Sequence, residues 1–496
     1  MQGGPRVPQY WTETIAKVLF KKGDETLPEN YRPIAILSIL YKVFSRVLCS
    51  RVEDALYRAQ SVDQAGFRPG YNCEDHLLTM EILTEKSLEF NMPLWACALD
   101  FQKAFDTVQY SSLWHALLEQ GIQPQYIELL SRLYEGQSCR VQTEKVSRAF
   151  KLQRGTKQGD PISPPLFNSV SHSFMGPLAE KWTKMKMGVQ LGNKYLQNLR
   201  FADDILLVAR SLGEIRTMLA DVAQAAGQAG LELLMGKTVI LSNGIGKDVG
   251  QTSVVIRDQK IKILRPFEST AYLGRALDLI DPNDTEISNR ITKAWKKFFS
   301  HKHELCSKYY STEVRFKLFD SVITPSILYG CGAWTMTRKR EQRLRVTQRK
   351  MARIILGTGK LKATDDESTQ PESETFIEWI QRATKLAEAN VEKFKVPDWV
   401  EEQRVRKWKT AGHAARREDG RWTTFVLQEL PAGHRSLGRP IKRWEDDLNK
   451  FITHKQGVGG GWMVWQSCAS DREKWKDLAA EFAKFGQRVK WNELAE

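Results

Sequence analysis

"LRFADDILLVA", residues 199–209, sets Asp203 and Asp204 side by side in a run that is otherwise almost wholly apolar. The pattern predicts two short strands around Ala202, Asp203 and Asp204, joined by a tight turn. An unpaired carboxylate buried there is costly, so the pair is either solvated in the turn or matched by a cation. An Asp-Asp dipeptide alone favours the turn, where Asp bonds local backbone. A further acid shifts the balance. "LWACALDF", residues 94–101, is a short apolar run closing on Asp100 and Phe101, and reads as a buried strand. Three carboxylates at the ends of neighbouring strands repel one another unless divalent cations bridge them. Hard oxygen donors select Mg2+ or Mn2+. Two such ions about 3.5–4 Å apart activate an attacking oxygen and stabilise a leaving one in phosphoryl transfer.

Strands and helices alternate around these acids. Residues 34–60 show helical spacing after the "YRP" stop at 31–33. Residues 104–122 predict a helix with Ser111 or Ser112 as N-cap and Gly121 as its stop. Residues 164–182 predict a helix opened by prolines, and 213–231 another; 236–274 return to strand-like pieces. The alternation predicts an α/β fold with one sheet and helices on one face.

Lys and Arg outnumber Asp and Glu by 74 to 59, a net charge of +15 that suits a polyanion partner through counterion release. The seven cysteines include no Cys-x-x-Cys pair, which excludes a zinc knuckle and a disulfide framework and points to a reducing compartment. His413, His434, His454 and Cys468 match no zinc spacing either. No apolar stretch approaches the length of a membrane span, and the first residues lack a signal-peptide core, so an intracellular chain without a membrane partner is expected. From about 284 the pattern turns helical and basic. "RKREQRLRVTQRKMAR", 338–353, sets eight cations around Glu341, with Leu344, Met351, Ile354 and Ile355 as an apolar stripe. Its cations, among them Arg343, Arg349 and Lys350, either form a solvated face or track phosphates, and the run is a weak nuclear-import signal. Residues 361–376 read as an acidic linker. Nine of the 15 tryptophans lie beyond it. "HRSLGRPIKRWEDDL", 434–448, interleaves Arg439, Lys442 and Arg443 with Trp444, either to hold phosphates and stack on bases or as part of a tryptophan-cored helical domain.

Several blocks carry a resemblance. "ALDFQKAFDTV" (98–108), "RGTKQGDPISPPLFN" (154–168) and "LRFADDILLVA" (199–209) resemble motifs A, B and C of a reverse transcriptase. "KKGDETLPENYRPIAILSILYKVFSRVL" (21–48) and "DQAGFRPGYNCEDHLL" (63–78) resemble the fingers segments before them. "GLELLMGKT" (230–238) and "AYLG" (271–274) resemble motifs D and E. The likeness is to polymerases of non-long-terminal-repeat (LINE-type) retrotransposons, and "YGCGAW" and the 412–448 region resemble the part of those elements downstream of the polymerase.

The resemblance implies roles. Asp100 and Asp203 would hold two Mg2+ ions, Mn2+ being an alternative, with Asp204 a weaker ligand and Phe101 lending its carbonyl. Phe105 would lie under the incoming sugar and exclude a ribose 2′-hydroxyl. Asp106 receives no metal and is expected to cap the following helix. Gln158 and Gly159 would line the nucleotide pocket. Arg32, with Lys21 or Lys22, would grip the triphosphate. Lys237 would protonate the departing pyrophosphate, although the asparagine usual in motif D is replaced by Leu233–Leu234. Arg154 and Arg68 would contact template.

The implied architecture is a right-hand polymerase (α/β, α+β): N-terminal segment and fingers over 1–92, palm with an antiparallel sheet packed on helices over 93–283, and a helical basic thumb over 284–360. The linker at 361–376 and a small, mostly helical C-terminal domain over 377–496 complete it. The implied activity is RNA-directed DNA polymerisation on an RNA template, a DNA primer and dNTPs, in the nucleus or cytoplasm. The chain begins almost at the fingers, so the endonuclease usual upstream in LINE-type proteins is not expected. A non-catalytic nucleic-acid-binding remnant and a group II intron-like maturase are the alternatives.

Overall fold

The computed structural model describes residues 7–21, 23–361, 374–429, 434–435, 437–438, 440–456 and 464–486. They divide into two compact units. The first takes in residues 1–76, 90–273 and 429–435, and the second 77–89, 274–428 and 436–496. This two-part split, with breaks at 76/77, 89/90 and 273/274, is coarser than the fingers, palm, thumb and C-terminal division expected from the sequence. Most of the linker at 361–376 lies outside the described residues.

The first unit opens with α1 (Gln9–Thr12), β1 (Glu13–Phe20), β2 (Tyr31–Ile36) and α2 (Ile39–Ala59). The helix expected from residue 34 thus begins at 39, and Pro33 sits inside a strand. β2 is the edge of the four-stranded sheet β2-β1-β4-β5, where β4 is Ser138–Gln142 and β5 Phe150–Lys151, and an edge tolerates the proline's missing N–H. α3 (Cys73–Glu89) runs from the first unit into the second. β3 (Trp95–Leu99) fills the apolar run that ends at Asp100.

Residues 104–122 form two helices, α4 (Ala104–Thr107) and α5 (Tyr110–Glu119). Gln109 precedes α5, so neither Ser111 nor Ser112 is its N-cap. The break comes from tertiary bonds: the Val108 carbonyl accepts from Gly155 N at 2.7 Å, and Gln109 N donates to the Ala229 carbonyl at 3.3 Å. Next along the chain are α6 (Pro124–Tyr134) and α7 (Ser163–Lys184), the latter with prolines in its first turn as expected. Then come the hairpin β6 (Val189–Leu191) and β7 (Lys194–Leu196), β8 (Asn198–Phe201), β9 (Asp204–Ala209) and α8 (Leu212–Gln228). β10 (Val239–Ser242), β11 (Ser253–Ile256) and β12 (Gln259–Ile263) complete the six-stranded sheet β11-β12-β10-β3-β9-β8. Its pairs are antiparallel except β10 with β12. The sheet alternates as strands must: Trp95, Cys97 and Leu99 join Ile205, Leu207 and Ala209 in one core with residues of α5, α7 and α8. Helices therefore cover one face as expected, but the alternation gave no sign of a second main sheet, β2-β1-β4-β5.

The second unit is helical: α9 (Pro282–Ser300), α10 (Lys302–Cys306), α11 (Thr312–Ile327), α12 (Arg338–Leu356), α13 (Phe376–Lys393) and α14 (Trp399–Ala415) come first. Shorter helices continue up to Lys484. Most of its described tryptophans are core. Trp408 and Trp475 stack at 3.6 Å, and each indole N–H donates to the other's backbone carbonyl, at 2.7 and 2.9 Å. Trp399, Trp444 and Trp465 are fully buried as well, which leaves them unavailable as base-stacking platforms.

Candidate active site

β3 pairs with β9 through Leu99↔Ile205, and β9 with β8 through Phe201↔Asp204. Asp100 comes directly after the last β3 pair and so emerges beside the hairpin turn at Ala202–Asp203. Asp204 is the first residue of β9 rather than part of the turn. The sequence thus brings its three acids to one sheet end through strand register alone.

Electrostatics follow from that proximity. Asp204 reaches solvent at the strand end, yet the protein crowding it, then repulsion from Asp203 and Asp100, pushes its carboxyl up to about 6; Lys21 works against this. Burial also raises the Asp203 carboxyl, and Asp100 adds to it, while Arg32 and Lys21 oppose. Lys237 Nζ lies 3.9 Å from Asp100 Oδ2, a solvent-screened pair that compensates little. The acids are under-neutralised by the chain's own cations. That donor set, all hard oxygens, fits a divalent cation. Among the described residues no group of three or more His, Cys, Asp and Glu side chains converges as a ready-made metal cage. A site that takes one or two carboxylates and completes its shell with water and substrate phosphate is the kind Mg2+ uses.

The cations come from the other sheet, and the 154–162 segment is bonded to it. Lys21 lies just past β1, and Arg32 lies in β2 opposite Leu19. Both are exposed and near enough to act on Asp203. The Ala35 amide donates to the Gln158 carbonyl at 3.0 Å, and Gly159, at φ 104, approaches β2 so closely that a Cβ would stand 3.1 Å from the Ala35 carbonyl. Gln158 Nε2 donates to Asp106 Oδ1 at 2.9 Å. Asp106 lies inside α4 and caps no following helix; its expected capping role is replaced by this bond. Burial raises its carboxyl, opposed chiefly by the Gln158 bond. Phe105 is half-buried and stacks on Phe167 at 4.4 Å, with Phe67 edge-on at 6.4 Å. Phe101 is buried and bridges Leu233, which ties the Asp100 strand end to the 230–238 segment; Leu234 N donates to the Asp100 carbonyl at 2.8 Å.

Several residues expected to meet nucleic acid are engaged within the chain. Arg68 donates to the carbonyls of Ser61, Gln64 and Tyr57, at 2.6, 2.9 and 3.3 Å, and packs on Tyr71. Arg343 pairs with Asp284 at 2.9 Å and Arg349 with Glu388 at 2.5 Å, while the Lys350 ammonium lies over Trp295. Lys442 donates to the Met336 carbonyl at 2.6 Å, and Arg443 pairs with Glu89. Arg154 is exposed. Lys22 and Arg439 lie outside the described residues.

Sequence reasoning passed over two buried polar residues of this unit. Lys157 donates to the Trp11 carbonyl at 3.1 Å and lies 4.4 Å from the Tyr41 ring centre. Gln64 is wholly buried against the turn that carries Asp203. A polar residue inside "DQAGFRPG" gives no signal of burial, because only the fold shows what it faces.

Comparison with known proteins agrees with this geometry. The family described as reverse transcriptase (RNA-dependent DNA polymerase) matches residues 20–277, which contain all three acids. A putative uncharacterized transposon-derived protein of Caenorhabditis elegans is 31% identical over 292 residues, 58% of this chain and 96% of that protein. The retrovirus-related Pol polyprotein from type-1 retrotransposable element R2 of Popillia japonica is 27% identical over 71% of this chain, which spans 49% of that polyprotein. Among solved structures, apo telomerase from Candida tropicalis covers 87% of this chain and 71% of its own, with a TM-score of 0.42 and 14% identity. No described helix is long and apolar enough to cross a membrane. With the family match running through the sheet end that gathers Asp100, Asp203 and Asp204, the chain belongs to the reverse transcriptase (RNA-dependent DNA polymerase) family, in its non-long-terminal-repeat, LINE-type branch.

Proposed function

We propose that the chain extends a DNA primer on an RNA template, using dNTPs, at the sheet end formed by Asp100, Asp203 and Asp204. The observation that carries this reading is the gathering of three under-neutralised carboxylates beside Arg32 and Lys21. The reverse transcriptase family uses divalent metal ions. Here Asp100 and Asp203 would hold two Mg2+ ions, with Asp204 and the Phe101 carbonyl in support. Bound divalent cations supply the Lewis acidity that activates the primer 3′-oxygen and steadies the leaving phosphate.

The chain's own residues do the rest. Arg32 and Lys21 grip the triphosphate, and guanidinium suits a bidentate hold on phosphate oxygens. Gln158, fixed by Asp106, and Gly159 line the nucleotide pocket, while Phe105, braced by Phe167, lies under the sugar. The primer 3′-hydroxyl gives up its proton to solvent and its oxygen forms a bond to the α-phosphorus as the α–β bridging bond breaks, and pyrophosphate leaves. Lys237, 3.9 Å from Asp100, would donate a proton to the pyrophosphate. In this reading residues before 93 act as fingers, 93–283 as palm and 284–360 as thumb.

The test is incubation of the purified chain with poly(rA)/oligo(dT), dTTP and Mg2+ or Mn2+, beside Asp203→Ala. Metal-dependent extension by the parent and its loss in the variant are expected. Nucleic-acid binding without extension would establish the non-catalytic remnant instead, and extension that survives the substitution would reject the site assignment.

A further inference from the structure

Asp203 is held by an unusual piece of backbone. Ala202, just before it, has φ 58, a left-handed conformation that a side chain disfavours. Such a conformation persists only where its surroundings over-determine it. The surroundings here are one short segment. The Gln64 side-chain oxygen accepts from the amides of Ala202 and Gly66, both at 2.9 Å, and its Nε2 faces the Ala202 carbonyl at 3.5 Å. Behind it, Ala65 N donates to the Arg200 carbonyl at 2.8 Å, and Arg200 N donates to the Asp63 carbonyl at 2.7 Å. Gly66 closes the other side: a Cβ there would collide with the Ala202 amide nitrogen and lie 2.8 Å from the Phe201 carbonyl carbon. The clamp is itself anchored, since Asn168 Nδ2 donates to the Gly66 carbonyl at 2.8 Å and Arg68 to that of Gln64 at 2.9 Å.

We propose that Gln64 is a positioning residue for the proposed reaction: its side-chain amide locks the left-handed Ala202 backbone and thereby aims the Asp203 carboxylate. Gln64 touches no reacting atom and acts through the turn. Its amide faces both polar groups of the Ala202 residue in a buried site, so its removal leaves the Ala202 amide without this acceptor. This inference rests on the polymerase reading of the site, but its physical content, a turn held for metal binding, is measurable without turnover.

The experiment compares the parent with Gln64→Ala, Gln64→Glu and the double variant Gln64→Ala/Ala202→Gly. Mn2+ affinity is read by electron paramagnetic resonance, hydrogen exchange over 199–209 reports the turn, and thermal unfolding reports the fold. Gln64→Ala is expected to weaken Mn2+ binding about 10- to 100-fold, the usual effect of losing an outer partner of a metal ligand. It is also expected to lower kcat by a similar factor, with KM for dTTP within about threefold. Exchange should rise at the Ala202 amide. Gln64→Glu keeps the acceptor but cannot donate to the Ala202 carbonyl, and is expected to fall between the two. Glycine at 202 adopts the left-handed region freely, so the double variant should recover much of the Mn2+ affinity. A merely structural role predicts loss that tracks the unfolding temperature and no recovery by glycine, and either result would overturn the proposal. So would parent-like Mn2+ affinity in Gln64→Ala. A parent that binds Mn2+ through this turn yet extends no primer would reject the polymerase reading and leave the positioning role standing.

Discussion

Gln158 and Asp106 are joined by a 2.9 Å hydrogen bond from the amide Nε2 to the carboxylate Oδ1, linking the 154–162 segment to the short helix after Asp100. The bond gives Asp106 a use that needs no metal. Asp106→Ala is expected to free Gln158 and raise KM for dTTP about five- to tenfold while kcat stays within about twofold, as when binding shared by ground and transition states is lost. Asp106→Asn retains an acceptor and should keep KM near the parent value. Steady-state primer extension at varied dTTP checks both.

The Ala202 backbone makes the turn selective for small residues. A β-branched residue at φ 58 is a genuine outlier, so Ala202→Val is expected to destabilise the chain by about 1–3 kcal/mol, read by urea unfolding. Ala202→Gly should stay within about 1 kcal/mol, because relief of strain is offset by glycine's greater freedom in the unfolded chain.

Phe105 braces on Phe167, and its ring is the proposed barrier to a ribose 2′-hydroxyl. Phe105→Ala is expected to narrow the preference for dTTP over UTP at least about tenfold, chiefly by improving UTP use. Competing extension reactions on one template-primer measure the ratio.

Lys157 is buried, and burial holds its ammonium down to about 8 from the ordinary 10.5, against the pull of Asp160. The sign is fixed by which state binds more protons. Below pH 8 both states carry the charge and the penalty for burying it is constant. Between about 8 and 10.5 the unfolded chain holds the proton more often, so stability rises with pH, by about 3 kcal/mol in all. Urea unfolding across that window, parent minus Lys157→Met, should show the rise, since the variant cannot titrate there.

Trp408 and Trp475 exchange hydrogen bonds across a parallel stack in the second unit. Trp475→Ala removes the indole N–H that donates to the Trp408 carbonyl and opens a large cavity, so about 3–5 kcal/mol of destabilisation is expected by urea unfolding. Lys350→Ala, on the exposed face of α12, should change stability by no more than about 0.5 kcal/mol.

The sequence by itself determined the chemistry and the local elements that carry it. The break in the apolar run at 202–204 and the acid closing 94–100 sufficed to place three carboxylates at strand ends, because strand period and turn preference are local properties. The helices over 163–184 and 212–228 were legible for the same reason. What only the tertiary structure decided is how each polar side chain is used. Pro33 lies in a strand because that strand is an edge, and α5 starts at Tyr110 because Val108 and Gln109 are bonded to distant backbone. Phosphate contact is one of the readings open to Arg343, Arg349 and Arg443 in a basic chain, and each meets a carboxylate supplied from a distant part of the sequence. Trp399, Trp408, Trp444, Trp465 and Trp475 could equally stack on bases or pack in a core, and burial chose the latter. Gln64 carried no sequence signal at all, since a hydrogen bond across 138 residues of chain exists only once the sheet has formed.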